Sequence, residues 1–335
     1  MAIVFSKNSG LNDSLWKPVG QVINAVMQDA DNEKTQHDSI VGSIAVEKKS
    51  KKYAEKQTGV TSLSSFDVVN EGNKAPMDDF QETFPKLIVH SAFSKSVALT
   101  KEMLDDGDLD GMKTTARNLV LGYKRTRAEL ATNALVTEGA EFTIGPSKRK
   151  LDKTTGDGLA LFNTAHKSVK ATVETQSNVF TNAFGTDASM LIRLASIGRN
   201  FKNDSGQVTG YTFNKIIIPG NCYELEETIK RIIRSDLIVG SNNNDVNTQK
   251  GLWELVVDPL WQAAPGTAPY IIMSDEANKA YNGTVFYDRT PLDIQNQVDI
   301  HSRNLEYNGY GRMSCGFNNW RHVILGGAAQ GTTLT

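Results

Sequence analysis

Residues 99–136 read LTKEMLDDGDLDGMKTTARNLVLGYKRTRAELATNALV. Met112, Ala116, Leu119, Val120, Tyr123, Leu130, Ala131, Ala134 and Leu135 recur near the 3.6-residue period, which predicts an amphipathic helix over 111–136. Lys113, Arg117, Lys124, Arg125, Arg127 and Glu129 mostly avoid that stripe. Asp108 and Asp110 stand where side-chain oxygens cap free amides and negative charge suits the helix dipole. Gly139 lies just beyond the predicted end. Roughly 25 residues at 1.5 Å each give ~38 Å, long for an ordinary domain and suited to a spine that spans a subunit.

The run before this helix, Asp106-Gly107-Asp108-Leu109-Asp110-Gly111, matches the opening of an EF-hand calcium loop. The twelfth loop position, where a bidentate Glu belongs, is Arg117. The stretch ahead of the loop reads as strand rather than as an incoming helix. Capping without calcium is the expectation.

Upstream, Trp16, Val19, Val22, Ile23, Val26 and Met27 predict a short amphipathic helix. From Gln28 to Thr58 the chain is mostly polar and ends in Lys48, Lys49, Lys51, Lys52 and Lys56. Residues 1–60 therefore read as an arm rather than as core. Over 61–104, Phe66-Asp67-Val68-Val69 precedes a turn-rich stretch, Asn70 to Pro76, and the alternation at 86–90 and 95–99 suits strands. The result is a long hairpin with no local apolar partner. Such a ribbon is marginal alone in water, so it is expected to lie on another subunit, with Glu71, Lys74, Phe80, Phe84 and Lys86 as its inter-subunit residues.

Downstream, 137–182 is loop-rich with a basic stretch at Lys148, Arg149, Lys150 and Lys153. Helices are expected at 187–201 and 222–235. Strands are expected at 213–219, where Ile216-Ile217-Ile218 looks buried on both faces, and at 253–258, 270–274, 283–288, 294–302 and 310–325. An Asn-rich loop, with Asn242, Asn243, Asn244 and Asp245, is suited to meeting its copies around a symmetry axis. Helices followed by a strand-rich half make the class α+β.

Composition narrows function. A net charge of −2 over 335 residues argues against a dedicated nucleic-acid binder. The two cysteines, Cys222 and Cys315, have neither disulfide-framework nor metal-ligand spacing, which suits a reducing compartment. No apolar run approaches the ~20 residues of a membrane span, and the first residues do not read as a secretory signal. His37, His90, His166, His301 and His322 lack the i, i+4 spacing of a helical metal site. Nucleophile elbows, P-loops and dinucleotide fingerprints are missing. The reading is no enzyme, no catalytic residue, no metal and no cofactor.

Several phrases, in order, resemble the major capsid proteins of tailed bacteriophages with the Hong Kong 97-type fold. They are Leu99-Thr100-Lys101-Glu102-Met103-Leu104-Asp105-Asp106, Asp157-Gly158-Leu159-Ala160-Leu161-Phe162-Asn163-Thr164-Ala165-His166, and Lys215-Ile216-Ile217-Ile218-Pro219. Asn247 to Leu260 and Arg312 to Arg321, with its closing Trp320-Arg321, complete the set. The second phrase is similar to one in the Mu-like head subunit branch. The resemblance covers about residues 60–325 and implies an N-terminal arm (1–60), an extended hairpin loop (61–110), and a spine helix with most of a peripheral domain (111–205). An axial domain (206–310) and a closing peripheral strand with the C-terminus (311–335) follow.

It also implies self-assembly as hexamers and pentamers into an icosahedral shell around double-stranded DNA. The expected partners are a separate scaffolding protein, a portal and a decoration protein, with no membrane; the expected location is the virion, and the host cytoplasm during assembly. Relatives often carry a long charged scaffolding segment ahead of the hairpin. Here about 60 residues precede it, so no maturation cleavage is expected. Some relatives join a hairpin lysine to a neighbour's asparagine, and Lys74 and Lys86 are the lysines of that region. Nothing marks the Glu such chemistry needs, and no cross-link is expected. DNA is expected to be met by charge alone, with Lys48, Lys49, Lys51 and Lys52 as the genome-facing group. The alternatives are an encapsulin-like cellular compartment shell of the same fold and a hydrolase with a scattered site.

Overall fold

In the computed structural model, residues 3–5, 16–59, 61, 63, 65–75, 77, 81–170, 173–238 and 245–334 are described. The elements begin with β1 (Val4–Phe5), α1 (Lys17–Asn32), α2 (Gln36–Ile44), β2 (Val46–Lys49) and β3 (Ala54–Gln57). After a loop come β4 (Lys86–Val89), β5 (Ser91–Leu99), α3 (Lys101–Asp105) and α4 (Leu109–Val136). Next are β6 (Glu141–Ile144), β7 (Arg149–Asp152), α5 (Ser189–Arg199), β8 (Lys215–Pro219) and α6 (Tyr223–Arg234). The chain ends with β9 (Glu254–Asp258), β10 (Tyr270–Met273), α7 (Asp275–Tyr281), β11 (Thr284–Val298), β12 (Leu305–Phe317) and β13 (Val323–Gly326). They form two units. One comprises Met1–Glu55, Val89–Ala131 and Phe286–Cys315; the other comprises Lys56–Ile88, Thr132–Val285 and Gly316–Thr335.

The first unit is built on a sheet of order β1-β11-β12-β5, with β2 also pairing β11. β5 runs antiparallel to β12 from Leu99↔Leu305 to Ser91↔Met313. The stripe of α4 is buried here: Met112, Ala116, Leu119 and Val120 join Leu99, Leu292, Ile294, Leu305 and Tyr307. Each large side chain taken fully out of water contributes ~1.5–3 kcal/mol. Gly311 lets α4 approach β12, because a Cβ there would lie 2.6 Å from the Tyr123 ring.

The front of the chain is core, which corrects the arm-like reading of 16–45. Trp16, Ile23, Met27 and Ala30 are buried in that same cluster, and Ile40, Val41 and Ile44 are buried as well. α1 starts where Pro18, lacking an amide hydrogen, costs nothing in the first turn. α2 was not expected from the polar stretch 28–58. It is closed by a capping box in which Thr35 and Asp38 satisfy each other's amides.

α4 is 28 residues long, about 42 Å, and begins two residues before the expected start. Asp108 caps it: its Oδ1 accepts from the Gly111 amide at 2.9 Å. The preceding segment is not strand-like. Lys101–Asp105 is a short helix whose Thr100 hydroxyl accepts from the Met103 amide at 3.3 Å.

The second unit holds a sheet of order β13-β10-β8-β9. β8 is buried along its whole length, as the Ile216–Ile218 run predicts, and is parallel to β9 but antiparallel to β10. Against β9 packs α6, with Leu225, Ile229, Ile232 and Ile233 inward; α5 packs against β13. Within 137–182, β6 and β7 form a small antiparallel hairpin. α7 was not foreseen. Its seven residues are too few for a periodic signal, though Ser274 caps the Ala277 amide at 3.3 Å.

The strands expected at 283–288 and 294–302 are one strand, β11, 15 residues long. Pro291 lies inside it, and a proline in a run argues for a break when read from sequence alone. Residues 299–304 turn the chain, with Asp299 accepting from the amides of His301 and Ser302. The strand expected at 310–325 is divided instead, β12 ending at Phe317 and β13 starting at Val323. No strand forms at 66–69.

Two expectations follow. Removing a cap typically costs ~0.5–2 kcal/mol, so Asp108→Ala lowers the melting temperature by a few degrees. Calorimetric titration of the intact protein shows no micromolar calcium binding that Asp106→Ala abolishes. The second concerns acid. His322 is fully buried, its Nε2 2.7 Å from the Thr284 hydroxyl, and burial pushes its pKa down to about 3. The folded state keeps it neutral while the unfolded chain takes up a proton below about pH 6.5. The stability present above pH 6.5 is therefore lost progressively as pH falls toward 3. Denaturant midpoints between pH 7 and 4 show this slope, and His322→Gln flattens it.

Candidate assembly surfaces

The loop between β3 and β4 is a hairpin only at its base. There the Thr61 amide donates to the Gln81 carbonyl at 2.9 Å and the Thr83 amide to the Gly59 carbonyl at 2.8 Å. The hydroxyls of Thr83 and Thr61 add bonds from the Gly59 and Gln81 amides. Beyond the base, residues 65–75 are all exposed and turn at Asn70–Asn73, where Gly72 takes φ 85°. Phe66 is fully exposed, and Val68 and Met77 are each 98% exposed. Three large apolar side chains held in water leave several kcal/mol of burial unused.

Of the residues expected on this hairpin, Glu71 and Lys74 sit exposed at the tip and Phe84 is half-buried at the base. Phe80 lies outside the described residues. Lys86 is elsewhere: it is 8% exposed on β4, with its ammonium bonded to Asp152 and to the Thr154 hydroxyl. Burial pushes the Asp152 carboxyl up, but the bonds from Lys86 and Thr154 outweigh it and hold the group below its usual range. Lys74, not Lys86, is thus the exposed lysine of the region.

Asn242, Asn243 and Asn244 lie outside the described residues. Their loop is closed by a bridge between Leu237 and Val246 and by the Ile238 amide donating to the Asp245 carbonyl at 3.0 Å. Asp245 is exposed, as are Leu237, Ile238 and Val246. Below it, the Asn247 side chain donates to the Ile232 and Ser235 carbonyls and ends α6.

Lys48 and Lys49 on β2 border a cleft of about 550 Å³ in the first unit, with Lys34, Lys124, Arg127 and Asp288 also in its lining. Lys51 and Lys52 follow on the exposed chain, Lys52 3.6 Å from Glu55. Arg127 is 5% exposed and donates to Glu47 at 2.9 Å and to Asp288 at 2.8 Å, over the Phe286 ring. Burial raises the Asp288 pKa against the pull of Arg127. The Lys124 ammonium meets Asp38 at 3.2 Å and the carbonyls of Asp31 and Glu33. Arg127 Nε, Asp288 Oδ1 and the Tyr123 hydroxyl remain buried without a hydrogen-bond partner among the described residues. Sequence reasoning placed Lys124 and Arg127 off the buried stripe and missed Asp288. No local signal distinguishes a cation that an acid 161 residues away will bury.

Two phrases far apart in the chain converge in the second unit. His166 Nδ1 lies 2.7 Å from Asp157 Oδ2, Nε2 lies 3.2 Å from the Leu161 carbonyl, and the ring stacks on Trp320 at 4.4 Å. Arg321 covers the Trp320 ring and bonds Asp204 at 3.1 Å; the Gly156 amide donates to the Asn318 carbonyl at 2.9 Å. Burial pushes Asp157 up, but the bonds from His166 and Thr155 hold its carboxyl below the usual range. A carboxylate–histidine pair can serve as a base, yet here both ring nitrogens are spent on protein oxygens and the ring is fully buried. The group is a clamp between loop and closing segment. Among the described residues no cluster of three or more His, Cys, Asp or Glu could hold a metal, and no helix is long and apolar enough to cross a membrane.

No protein-family model matches the sequence, and no curated protein matches it. Solved structures do. The capsid of the native GTA particle is similar at a TM-score of 0.56 and 10% identity, covering 88% of this chain and 90% of that chain. Mycobacterium phage Patience is similar at 0.50 and 14%, covering 99% and 93%. The capsid of Ralstonia phage GP4 is similar at 0.51 and 11%, covering 84% and 86%. At such identities the likeness is one of fold, and over most of its length this chain has the α+β fold of the phage capsid subunits, the Hong Kong 97-type architecture.

Proposed function

We propose that this chain is the major capsid protein of a tailed phage, assembling as hexamers and pentamers into the icosahedral shell that encloses double-stranded DNA. The observation that carries the reading is the exposed hairpin tip, with Phe66, Val68 and Met77 in water on a chain that shares its fold with capsid subunits. An apolar tip with nothing beneath it calls for a second copy, and head-to-tail contacts of this kind close into rings.

In this reading 1–60 is the arm, 61–110 the extended hairpin loop, and 111–205 the spine helix with most of the peripheral domain. Residues 206–310 are the axial domain, its Asn-rich loop facing a symmetry axis, and 311–335 close the peripheral domain. The phrase from Asp157 to His166 supports placement in the Mu-like branch. A scaffolding protein, a portal and a decoration protein are the further partners, and DNA is met through charge without sequence reading. The particle is the virion, assembled in the host cytoplasm, and the chain catalyses no reaction.

Electron microscopy of the purified protein tests the reading directly: closed shells are expected, and packaged DNA or an attached tail separates a phage head from a cellular compartment. Replacing residues 66–77 by a short Gly-Ser turn leaves the base hydrogen bonds in place. The melting temperature is expected to hold, since changes to exposed residues usually cost under ~0.5 kcal/mol. Sedimentation is expected to show subunits and no shells. Normal shells from this variant would remove the hairpin from the assembly.

A further inference from the structure

We infer that the lysine-bordered cleft of the first unit receives the hairpin tip of a second copy of this chain, Asp67 to Lys74. The inference rests on the shell reading and specifies which surface the hairpin meets. The cleft is a mosaic of both charges. Lys34 and Lys49 are exposed on its lining, while Asp31, Glu47 and Asp288 belong to the same lining. Its inner wall offers an unpartnered donor, Arg127 Nε, an unpartnered acceptor, Asp288 Oδ1, and the Tyr123 hydroxyl. A nucleic-acid backbone presents phosphate acceptors, which leave Asp288 unsatisfied and are repelled by the acids. A polypeptide turn brings both kinds of group.

The hairpin matches that mosaic. Residues 66–84 carry Asp67, Glu71, Asp78, Asp79 and Glu82 against the single cation Lys74. Asp67, Glu71 and Lys74 are all exposed. Its carboxylates suit Lys34 and Lys49, while Lys74 and the turn's amides suit the acids. Complementary charge of this kind mainly sets register and partner choice, and like charges brought together there cost several kcal/mol. The four lysines expected to face the genome are thereby divided: Lys48 and Lys49 border a protein-binding cleft.

Charge reversal tests this in the full-length chain. K34E/K49E and D67K/E71K are each expected to keep the wild-type melting curve and to lower shell yield by about tenfold or more, the scale set by like-charge contact. The quadruple variant is expected to regain shells. If K34E/K49E proves unstable, K34Q/K49Q, which adds no repulsion, is expected to shift assembly to lower yield with a weaker dependence on salt. Normal shell yield from a folded K34E/K49E or K34Q/K49Q overturns the inference. So does a quadruple variant that stays unassembled while the 66–77 replacement also blocks assembly, which would place the hairpin on another surface and leave the shell reading intact. Normal empty shells whose packaged particles fail at low salt would assign the lysines to DNA and overturn it too. A wild-type chain that forms no shells defeats the underlying reading instead.

Discussion

The first unit depends on burying the stripe of α4. Met112, Ala116, Leu119 and Val120 repeat on one side of the helix, and burial there joins three segments distant in sequence: α1, the end of β5, and the β11–β12 pair. Helices of this length gain most of their stability from tertiary packing of the apolar side rather than from propensity. The glycine at 311 belongs to the same constraint, since any side chain there would push Tyr123 away. The Asp108 cap then fixes where the helix begins.

The stripe does not account for the charged residues of α4. Lys124 and Arg127 are buried beside it, each held by acids or carbonyls from other segments. Buried pairs of this kind gain little net stability against an apolar replacement, but losing one partner costs ~3–5 kcal/mol because the other charge is stranded. Their effect is therefore on arrangement: Arg127 ties Glu47 at the start of β2 to Asp288 on β11. In the second unit Asp157, His166 and Trp320 do the same work, clamping a loop with no regular structure to the closing segment.

The hairpin is the opposite case. Its base is hydrogen-bonded and its tip is in water, so nothing within the chain selects a single placement for the apolar residues. A shell subunit can tolerate this because its contacts are made between copies, and heterologous contacts that close into rings need a projecting element and a receiving surface on every copy.

Much was legible in the residues alone. The α4 helix, the buried strand at 215–219, the amphipathic helices at 189–199 and 223–234 and the exposed hairpin tip each carry their own periodicity or turn chemistry. That is local information, written in spacings of two or 3.6 residues. The α2 helix, α7, the unbroken β11 through Pro291, the burial of Trp16 and the separation of Lys86 from Lys74 were not legible. Nor was the meeting of Arg127 with Asp288, 161 residues apart. Short elements give too few turns for a period to show, and a charged side chain looks solvated until a distant partner is brought to it. The sequence by itself determined which segments are helix, strand and turn and which stripe must be hidden. Only the tertiary structure decided which charges are buried and which surfaces are left open, because those depend on pairings that chain folding alone makes adjacent.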